Sequence, residues 1–374
     1  MNLIFTCGGT AGHINPALAV ANQMKQRYPD ANILFIGAVG KMEEQLVPKA
    51  GFELKALPAS GLSRKLNPKG IKQNIYAVKC VLNALSECKK IFREFKPDAV
   101  IGTGGYASFP ALYAAQTMGI PTCVHEANAV PGVTTKLAAN KADRTLVTFA
   151  DSVQYYKNPE KVEVVGMPVR QEFLTTTKEE AKKELGVTDK PLVVSAFGSL
   201  GAKVMNETMA DMIPLEQDEN FPFHHIHATG SFGKEWMPQR VKDNGVDYEN
   251  CADLDIREYI YNMPTVMAAA DVIISRAGAS TCNEIGACAT PCILIPSPNV
   301  TNNHQEKNAR VLEAGGGAVV VLEKDCTPEA MYALVKELLA DENRREGMSR
   351  NLRGLVRLDS TERICNIVEE LIKK

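Results

Sequence analysis

The sequence has no excess of charge of either sign. Its 42 lysine and arginine residues stand against 44 aspartate and glutamate, a formal net charge of −2 over 374 residues. Such a balance exerts no global pull on nucleic acid or a membrane, so either partner has to be met by a local patch. Metal-type cysteine pairs are missing too. The 10 cysteines are scattered without a Cys-x-x-Cys, which predicts reduced thiols in a cytosolic protein. Cys282, Cys288 and Cys292 are read as fillers of small buried gaps rather than ligands. No secretory leader is expected, because Asn2–Cys7 lacks a basic flank and runs straight into glycines. The one long uncharged run, 99–124, is broken by Gly102, Gly104, Gly105, Pro110, Gly119 and Pro121. That excludes it as a membrane-spanning helix. A Gly-Lys-Ser/Thr phosphate loop is likewise absent.

What is present is a strand, glycine loop and helix, written twice. Asn2–Cys7 reads as a buried parallel strand, followed by Gly8-Gly9-Thr10-Ala11-Gly12-His13 and a helix from about Asn15, with Pro16 in its first turn. Cys7 stands where a dinucleotide fingerprint needs its first glycine, and the next strand, Ile33–Ile36, ends in Gly37-Ala38 without an acid for a ribose. A Rossmann-like fold is expected, but not nicotinamide binding. Ala99–Ile101 leads into Gly102-Thr103-Gly104-Gly105-Tyr106, and Thr122–Val124 into His125-Glu126-Ala127-Asn128. Both put polar residues beyond the carboxyl end of a strand, the ligand edge of a parallel sheet. His13, Tyr106, Glu126 and Asn128 either converge on one crevice there or are satisfied loop residues. Val162–Val165 is a last strand and Gly166–Arg170 a hinge, after which Leu192–Ala196, Gly198-Ser199-Leu200-Gly201 and a helix from about Lys203 repeat the opening. Two similar α/β domains in tandem, facing across a cleft, follow from that echo.

Residues 62–96 carry Arg64, Lys65, Lys69, Lys72, Lys79, Lys89, Lys90, Arg93 and Lys96 against Glu87 and Glu94, with Ile71, Ile75, Val78, Leu82 and Leu85 at helical spacing. The pattern fits an ordinary surface helix whose apolar stripe faces the core. That is the preferred reading, and the alternative is a helix lying on an anionic membrane. In the second half, strand Asp271–Ile274 runs into Ser275–Glu284, which turns on Gly278 and opens a helix, a natural seat for a diphosphate. Glu284 either accepts two ribose hydroxyls or closes a capping box with Thr281. Asn302, Asn303, His304, Gln305 and Asn308 supply the amide and imidazole groups that reading a sugar requires. His225 and His227 share a strand face but lack a third metal ligand, and Asp253-Leu254-Asp255 reads as turn and packing aspartates rather than a metal-binding Asp-x-Asp.

With these residues assembled, the chain resembles the MurG family of peripheral membrane glycosyltransferases along its whole length. The resemblance lies in Gly-Gly-Thr-x-Gly-His at 8–13, Gly-Gly-Tyr at 104–106, His-Glu-x-Asn at 125–128, Pro-Val-Arg at 168–170, Arg-x-Gly-Ala at 276–279 with Glu284, and His-Gln-x-x-Asn-Ala at 304–309. It implies a GT-B fold, two Rossmann-like doubly wound α/β domains facing across a cleft. The expected boundaries are 1–166 and 167–354, with a last helix, about 355–374, packing back on the first domain. The activity implied is inverting transfer of N-acetylglucosamine from UDP-N-acetylglucosamine to the undecaprenyl-diphosphate-linked acceptor lipid I, giving lipid II. Donor contacts are implied for Thr10, Gly12, Asn128 and Arg170, and for Ser199, Ile260, Glu284, His304 and Gln305. Tyr106 and Glu126 fall on the acceptor side, with His13 as general base and Glu126 as the competing one. No cofactor, bound metal or nucleic acid is implied, although a divalent ion can stimulate such enzymes. The resemblance also assigns 62–96 to an anionic membrane surface, and the protein to the cytoplasmic face of the cell membrane as a peripheral enzyme. The chain departs from the pattern at Ala11, Met167 and Phe197, where glycine, asparagine and glycine are usual. The rival readings are a transferase with another lipid acceptor, a UDP-N-acetylglucosamine 2-epimerase, and a non-catalytic sugar-nucleotide-binding module.

Overall fold

The computed structural model describes residues 1–61, 67–300 and 303–373. Arg64, Lys65, Asn302 and Lys374 lie outside the described residues. The chain divides into two compact units, one formed by Met1–Arg170 with Arg357–Lys374 and the other by Gln171–Val356.

The N-terminal unit alternates strands and helices: β1 (Asn2–Thr6), α1 (Ala11–Arg27), β2 (Asn32–Ala38), α2 (Glu43–Lys49), β3 (Glu53–Leu57) and α3 (Pro68–Phe95). There follow β4 (Ala99–Gly102), α4 (Ser108–Thr117), β5 (Thr122–Glu126), α5 (Val133–Ala139), β6 (Arg144–Val147) and β7 (Val162–Val164). The C-terminal unit opens with α6 (Glu172–Thr175), α7 (Lys178–Leu185), β8 (Leu192–Ala196), α8 (Lys203–Asp218), β9 (His224–Ala228) and α9 (Trp236–Asp243). It goes on through β10 (Leu254–Arg257), α10 (Met263–Ala269), β11 (Val272–Ser275), α11 (Ala279–Cys288), β12 (Cys292–Leu294) and α12 (His304–Ala314). Strand β13 (Ala318–Val320) and helices α13 (Pro328–Ala340) and α14 (Glu342–Leu355) complete it, and α15 (Ser360–Ile372) returns to the first unit.

Among the described residues each unit has one all-parallel sheet, in the orders β3-β2-β1-β4-β5-β6-β7 and β10-β9-β8-β11-β12-β13. Both reverse direction beside their first strand, which puts the ligand crevice at the carboxyl ends of β1 and β4 in one unit and of β8 and β11 in the other. The central strands are apolar along their length because helices cover both faces, and each sheet accordingly carries two cores. One face of the first sheet is closed by α1 and α15, where Ile364, Val368 and Leu371 join Ile14, Val20 and Met24 around Phe5 and Phe35.

Two expectations change here. Helix α1 begins at Ala11 rather than near Asn15, since the Thr10 carbonyl already accepts from His13 and Ile14 N–H. Pro16 therefore sits inside the helix, at the loss of one helical hydrogen bond, and His13 rides on a helical turn. Ala11 is helical and needs no left-handed backbone; the positive φ of this loop belongs to Gly9, at 87°. The second change concerns α3, started by Pro68 and by Asn67, whose side chain accepts the Gly70 N–H at 2.8 Å. Its buried side is made of Ala77, Cys80, Ala84, Cys88 and Phe92. Ile71, Ile75, Val78 and Leu82 face outward, Ile75 being 67% exposed, so of the apolar stripe only Leu85 packs on the core.

In the C-terminal unit, Asp271 ties α7 to the sheet. Its carboxylate accepts from Lys178 Nζ at 2.7 Å, Lys182 Nζ at 2.6 Å and Leu192 N–H at 2.8 Å. Burial acts to raise its pKa, but hydrogen bonds from the two lysines and Leu192 outweigh it and hold the carboxyl below its usual range. The depressed folded-state value means that this stability is present above the unfolded carboxyl pKa of about 4 and is lost as pH falls through the folded one. Asp271→Ala is expected to cost about 2–3 kcal/mol at pH 7 by urea titration. The difference from wild type should shrink toward pH 3; an undiminished difference there would refute the linkage.

Candidate active site

At the crevice of the N-terminal unit two glycine loops interlock. A β-carbon on Gly105 would lie 2.3 Å from the Gly8 carbonyl oxygen, and one on Gly104 would lie 2.7 Å from His13 Nδ1. This closeness brings the His13 ring onto the backbone after β4. Its Nδ1 is 3.1 Å from the Thr103 carbonyl, and Thr103 Oγ1 donates to the His13 carbonyl at 2.5 Å. A carbonyl only accepts, so Nδ1 carries the proton of the neutral ring and Nε2 the lone pair. Thr103 was not singled out in the sequence, because its contribution is a main-chain oxygen that no side-chain pattern announces.

Strand β5 runs two residues further than expected, so His125 and Glu126 are its last residues rather than loop residues. Pairing with β6 extends to Glu126 opposite Val147, which accounts for the added length. His125 is buried, with Nε2 2.9 Å from the Gly166 carbonyl, and burial holds its pKa below the ordinary value against the raising effect of that hydrogen bond. Glu126 is also buried. Its Oε1 accepts from Asn128 N–H and Nδ2 at 3.0 Å each, and its Oε2 from Gly132 N–H at 3.0 Å. The carboxylate thus braces the loop that follows it. Tyr106 is half-buried beside Gly9, whose added β-carbon would meet its ring at 3.6 Å, and Arg170 is exposed.

In the C-terminal unit the loop 198–201 is held against residues 229–233. Ser231 N–H donates to the Ser199 carbonyl at 3.2 Å and Phe232 N–H to that of Leu200 at 3.0 Å, while Gly201 has no room for a β-carbon beside the Thr229 carbonyl. Helices α8 and α11 both begin without a side-chain cap and without an acid in the first turn, which leaves their positive ends for an anion. The capping-box alternative for Glu284 is removed: Gly278 is the N-cap, Thr281 is already the third helical residue, and half-buried Glu284 stands in the second turn. Ile260 is buried between the exposed Tyr259 and Tyr261. His304 opens α12, and Gln305 accepts the Ser297 N–H at 2.9 Å through its side-chain oxygen, so its amide nitrogen is the group left to donate. Asn308 differs from its expected part in sugar reading. It is fully buried and donates to the Ala277 carbonyl at 3.1 Å, bracing the turn before α11. Arg276, unassigned by spacing, donates to the Ile295 carbonyl at 3.2 Å and pairs with Glu323. Beside these groups is a cavity of about 460 Å³ bordered by Val204, Pro296, Asn303, Glu306 and Glu323.

The other polar pairs have internal partners. Asp253 accepts from Lys190 at 2.7 Å and lies 2.9 Å from His224, and Asp255 pairs with Arg257. His225 and His227 both meet Ser195 Oγ, at 2.8 and 2.6 Å, and His225 also meets Glu216 at 2.8 Å. Burial, helped by His225, pushes His227 down to about 3, so that ring is neutral. Among the described residues no three His, Cys, Asp or Glu side chains are grouped to hold a metal ion.

Gly104→Ala is expected to displace the His13 ring and, with φ at 102°, to cost about 1–3 kcal/mol of stability. Denaturation with nitrogen-15 spectra of labelled histidine checks both effects; an unmoved His13 signal would contradict the contact.

Residues 3–147 match the glycosyltransferase family 28 N-terminal domain and residues 192–364 the glycosyltransferase family 28 C-terminal domain. The chain is 42% identical over 374 residues, all of its length and 99% of the relative's, to a protein of Acetivibrio thermocellus named UDP-N-acetylglucosamine–N-acetylmuramyl-(pentapeptide) pyrophosphoryl-undecaprenol N-acetylglucosamine transferase. It is 44% identical, over 99% of its length and 100% of the relative's, to a protein of the same name from Thermoanaerobacter sp.. Among solved structures, Acinetobacter baumannii MurG superposes with a TM-score of 0.75 at 24% identity, covering 99% of each chain. A UDP-GlcNAc 2-epimerase from Neisseria meningitidis superposes with 0.67 at 16% identity, covering 100% of each.

Proposed function

The chain belongs to the MurG family within glycosyltransferase family 28, and from that premise we propose the following reaction. It transfers N-acetylglucosamine from UDP-N-acetylglucosamine to the N-acetylmuramyl-(pentapeptide) pyrophosphoryl-undecaprenol acceptor of peptidoglycan synthesis, inverting the anomeric centre. The observation that carries this reading is the extent of the likeness, which runs through both units and leaves neither half with a different origin. The epimerase shares only the fold, at 16% identity.

In the C-terminal unit the uncapped starts of α8 and α11 suit the UDP diphosphate, with Ser199 on the adjoining loop and Glu284 for the ribose. The Ile260 backbone meets the uracil, and His304 with the Gln305 amide meets the sugar. Helix ends and backbone N–H groups stabilise charge on the departing UDP in a preorganised way. Thr10, Gly12, Asn128 and exposed Arg170 complete the donor set, with Tyr106 on the acceptor side.

The acceptor hydroxyl must lose a proton as it attacks the anomeric carbon. His13 is the base of choice. Its Nδ1–H is committed to Thr103, which keeps the ring in the tautomer whose Nε2 receives a proton. Glu126 is the weaker candidate, because three N–H donors stabilise its carboxylate and so weaken it as a base. The outward stripe of α3, flanked by Lys72, Lys79 and Lys90, supports docking on an anionic membrane and hence a peripheral place on its cytoplasmic face. Among the described residues no helix is long and apolar enough to cross a membrane.

UDP release by purified protein is expected only with a lipid I analogue, with diacylglycerol inactive. Release with donor alone would favour the epimerase reading. His13→Ala should lower kcat by about 100-fold or more, and a loss under about tenfold would move the role to Glu126. Ile75→Glu with Leu82→Glu should leave the fold intact and weaken sedimentation with anionic vesicles; unchanged binding would overturn the docking face.

A further inference from the structure

The first glycine loop raises a question that the transfer reaction leaves open. In sheets of this strand order, the crevice between the loop after the first strand and the end of the second receives the pyrophosphate and ribose of a nucleotide. In this protein the crevice between β1 and β2 is filled from within. Glu43, the first residue of α2, is fully buried. Its Oε1 accepts the Ala38 N–H at 2.8 Å, and both carboxylate oxygens share the Gly9 N–H, at 3.2 and 3.3 Å. The glycines around it are shaped to that side chain. A β-carbon on Gly37 would lie 2.6 Å from Glu43 Cγ, and one on Gly8 would lie 3.2 Å from Glu43 Oε1.

We propose that Glu43 is a positioning residue for the transfer, a built-in carboxylate that takes the place of a bound anion and fixes the turn on which His13 is carried. The proposal rests on the reading of His13 as base. Gly9 immediately precedes Thr10, the N-cap of α1, and His13 is the third residue of that helix. Holding the Gly9 N–H therefore sets where the helix starts, while the Thr103 carbonyl holds the ring at Nδ1. The two acceptors fix backbone and ring independently, and only with both in place is Nε2 held at one point. The hydrogen bonds of Glu43 run to backbone N–H groups rather than to a cation, an arrangement that favours loop geometry over stability. Its buried charge reaches Cys7 as well, adding to the effect of burial in pushing that thiol up. Glutamine keeps an oxygen for the Ala38 N–H but turns its NH2 group against the Gly9 N–H that Oε2 now accepts, which weakens the hold on that turn.

The test uses full-length protein with UDP-N-acetylglucosamine and a lipid I analogue, comparing Glu43→Gln, His13→Ala and the double variant, with UDP affinity measured by calorimetry. Glu43→Gln is expected to lower kcat by about tenfold or more, with donor KM and UDP affinity within about twofold of wild type. In the His13→Ala background the same change should have less than about a twofold further effect, since both act through one imidazole. Wild-type kcat in Glu43→Gln, a parallel loss of UDP affinity, or full additivity with His13→Ala would each overturn the proposal. Should Glu43→Gln fail to fold, Glu43→Asp keeps the charge one carbon short; a lowered kcat with unchanged donor KM is then expected, and wild-type kcat overturns the idea. An inactive His13→Ala beside a fully active Glu43→Gln would leave the base assignment standing and remove only the role of Glu43. Activity retained in His13→Ala would remove both.

Discussion

The contact between the Gly8 carbonyl and Gly105 is the constraint on which the N-terminal site depends. No side chain fits at residue 105, so the loops after β1 and β4 meet backbone to backbone. The meeting is possible because the sheet reverses its winding between these two strands, which leaves their carboxyl ends without a crossing helix. Once the loops touch, Thr103 has to present its carbonyl to the helix starting at Ala11. The imidazole on that helix is then oriented by main chain rather than by a partner side chain. The C-terminal unit repeats the device with Gly201 against the Thr229 carbonyl, which fixes the loop before α8.

Much of this was legible in the sequence, for reasons that differ by element. The buried parallel strands announce themselves as short apolar runs before glycine, and Leu192–Ala196 was read to the residue. The edges were harder to read. Helix α1 starts early because a loop carbonyl, not a side chain, closes its first turn, and β5 extends through His125 and Glu126 because a neighbouring strand pairs with them. Polarity placed those two residues in a loop, and tertiary pairing prevailed over it. The apolar stripe of α3 was recognised by its spacing, yet spacing alone gives no direction. Small residues such as Ala77, Ala84 and Cys88 on the opposite side decided which way it faced.

The site residues divide in the same way. Side chains proposed to meet a ligand are marked by motif, as with His13, Glu284, His304 and Gln305. Groups that hold them in place are not. Thr103 acts through its carbonyl, and Asn308 looked like a sugar reader until its amide was found against Ala277. Glu43 stands five residues after the strand end where an acid was sought and not found. A carboxylate arriving from the next helix leaves no local signature, because its role is defined by a turn 34 residues away.

Helix α3 also separates two properties that usually travel together. Its packed side is alanine and cysteine with Phe92, set largely against α4, while Ile71, Ile75, Val78 and Leu82 stand outside and take no part in the core. The exposed apolar residues of this helix are thus removed from those that govern whether it folds. The outer stripe can therefore change in sequence without touching the scaffold beneath it.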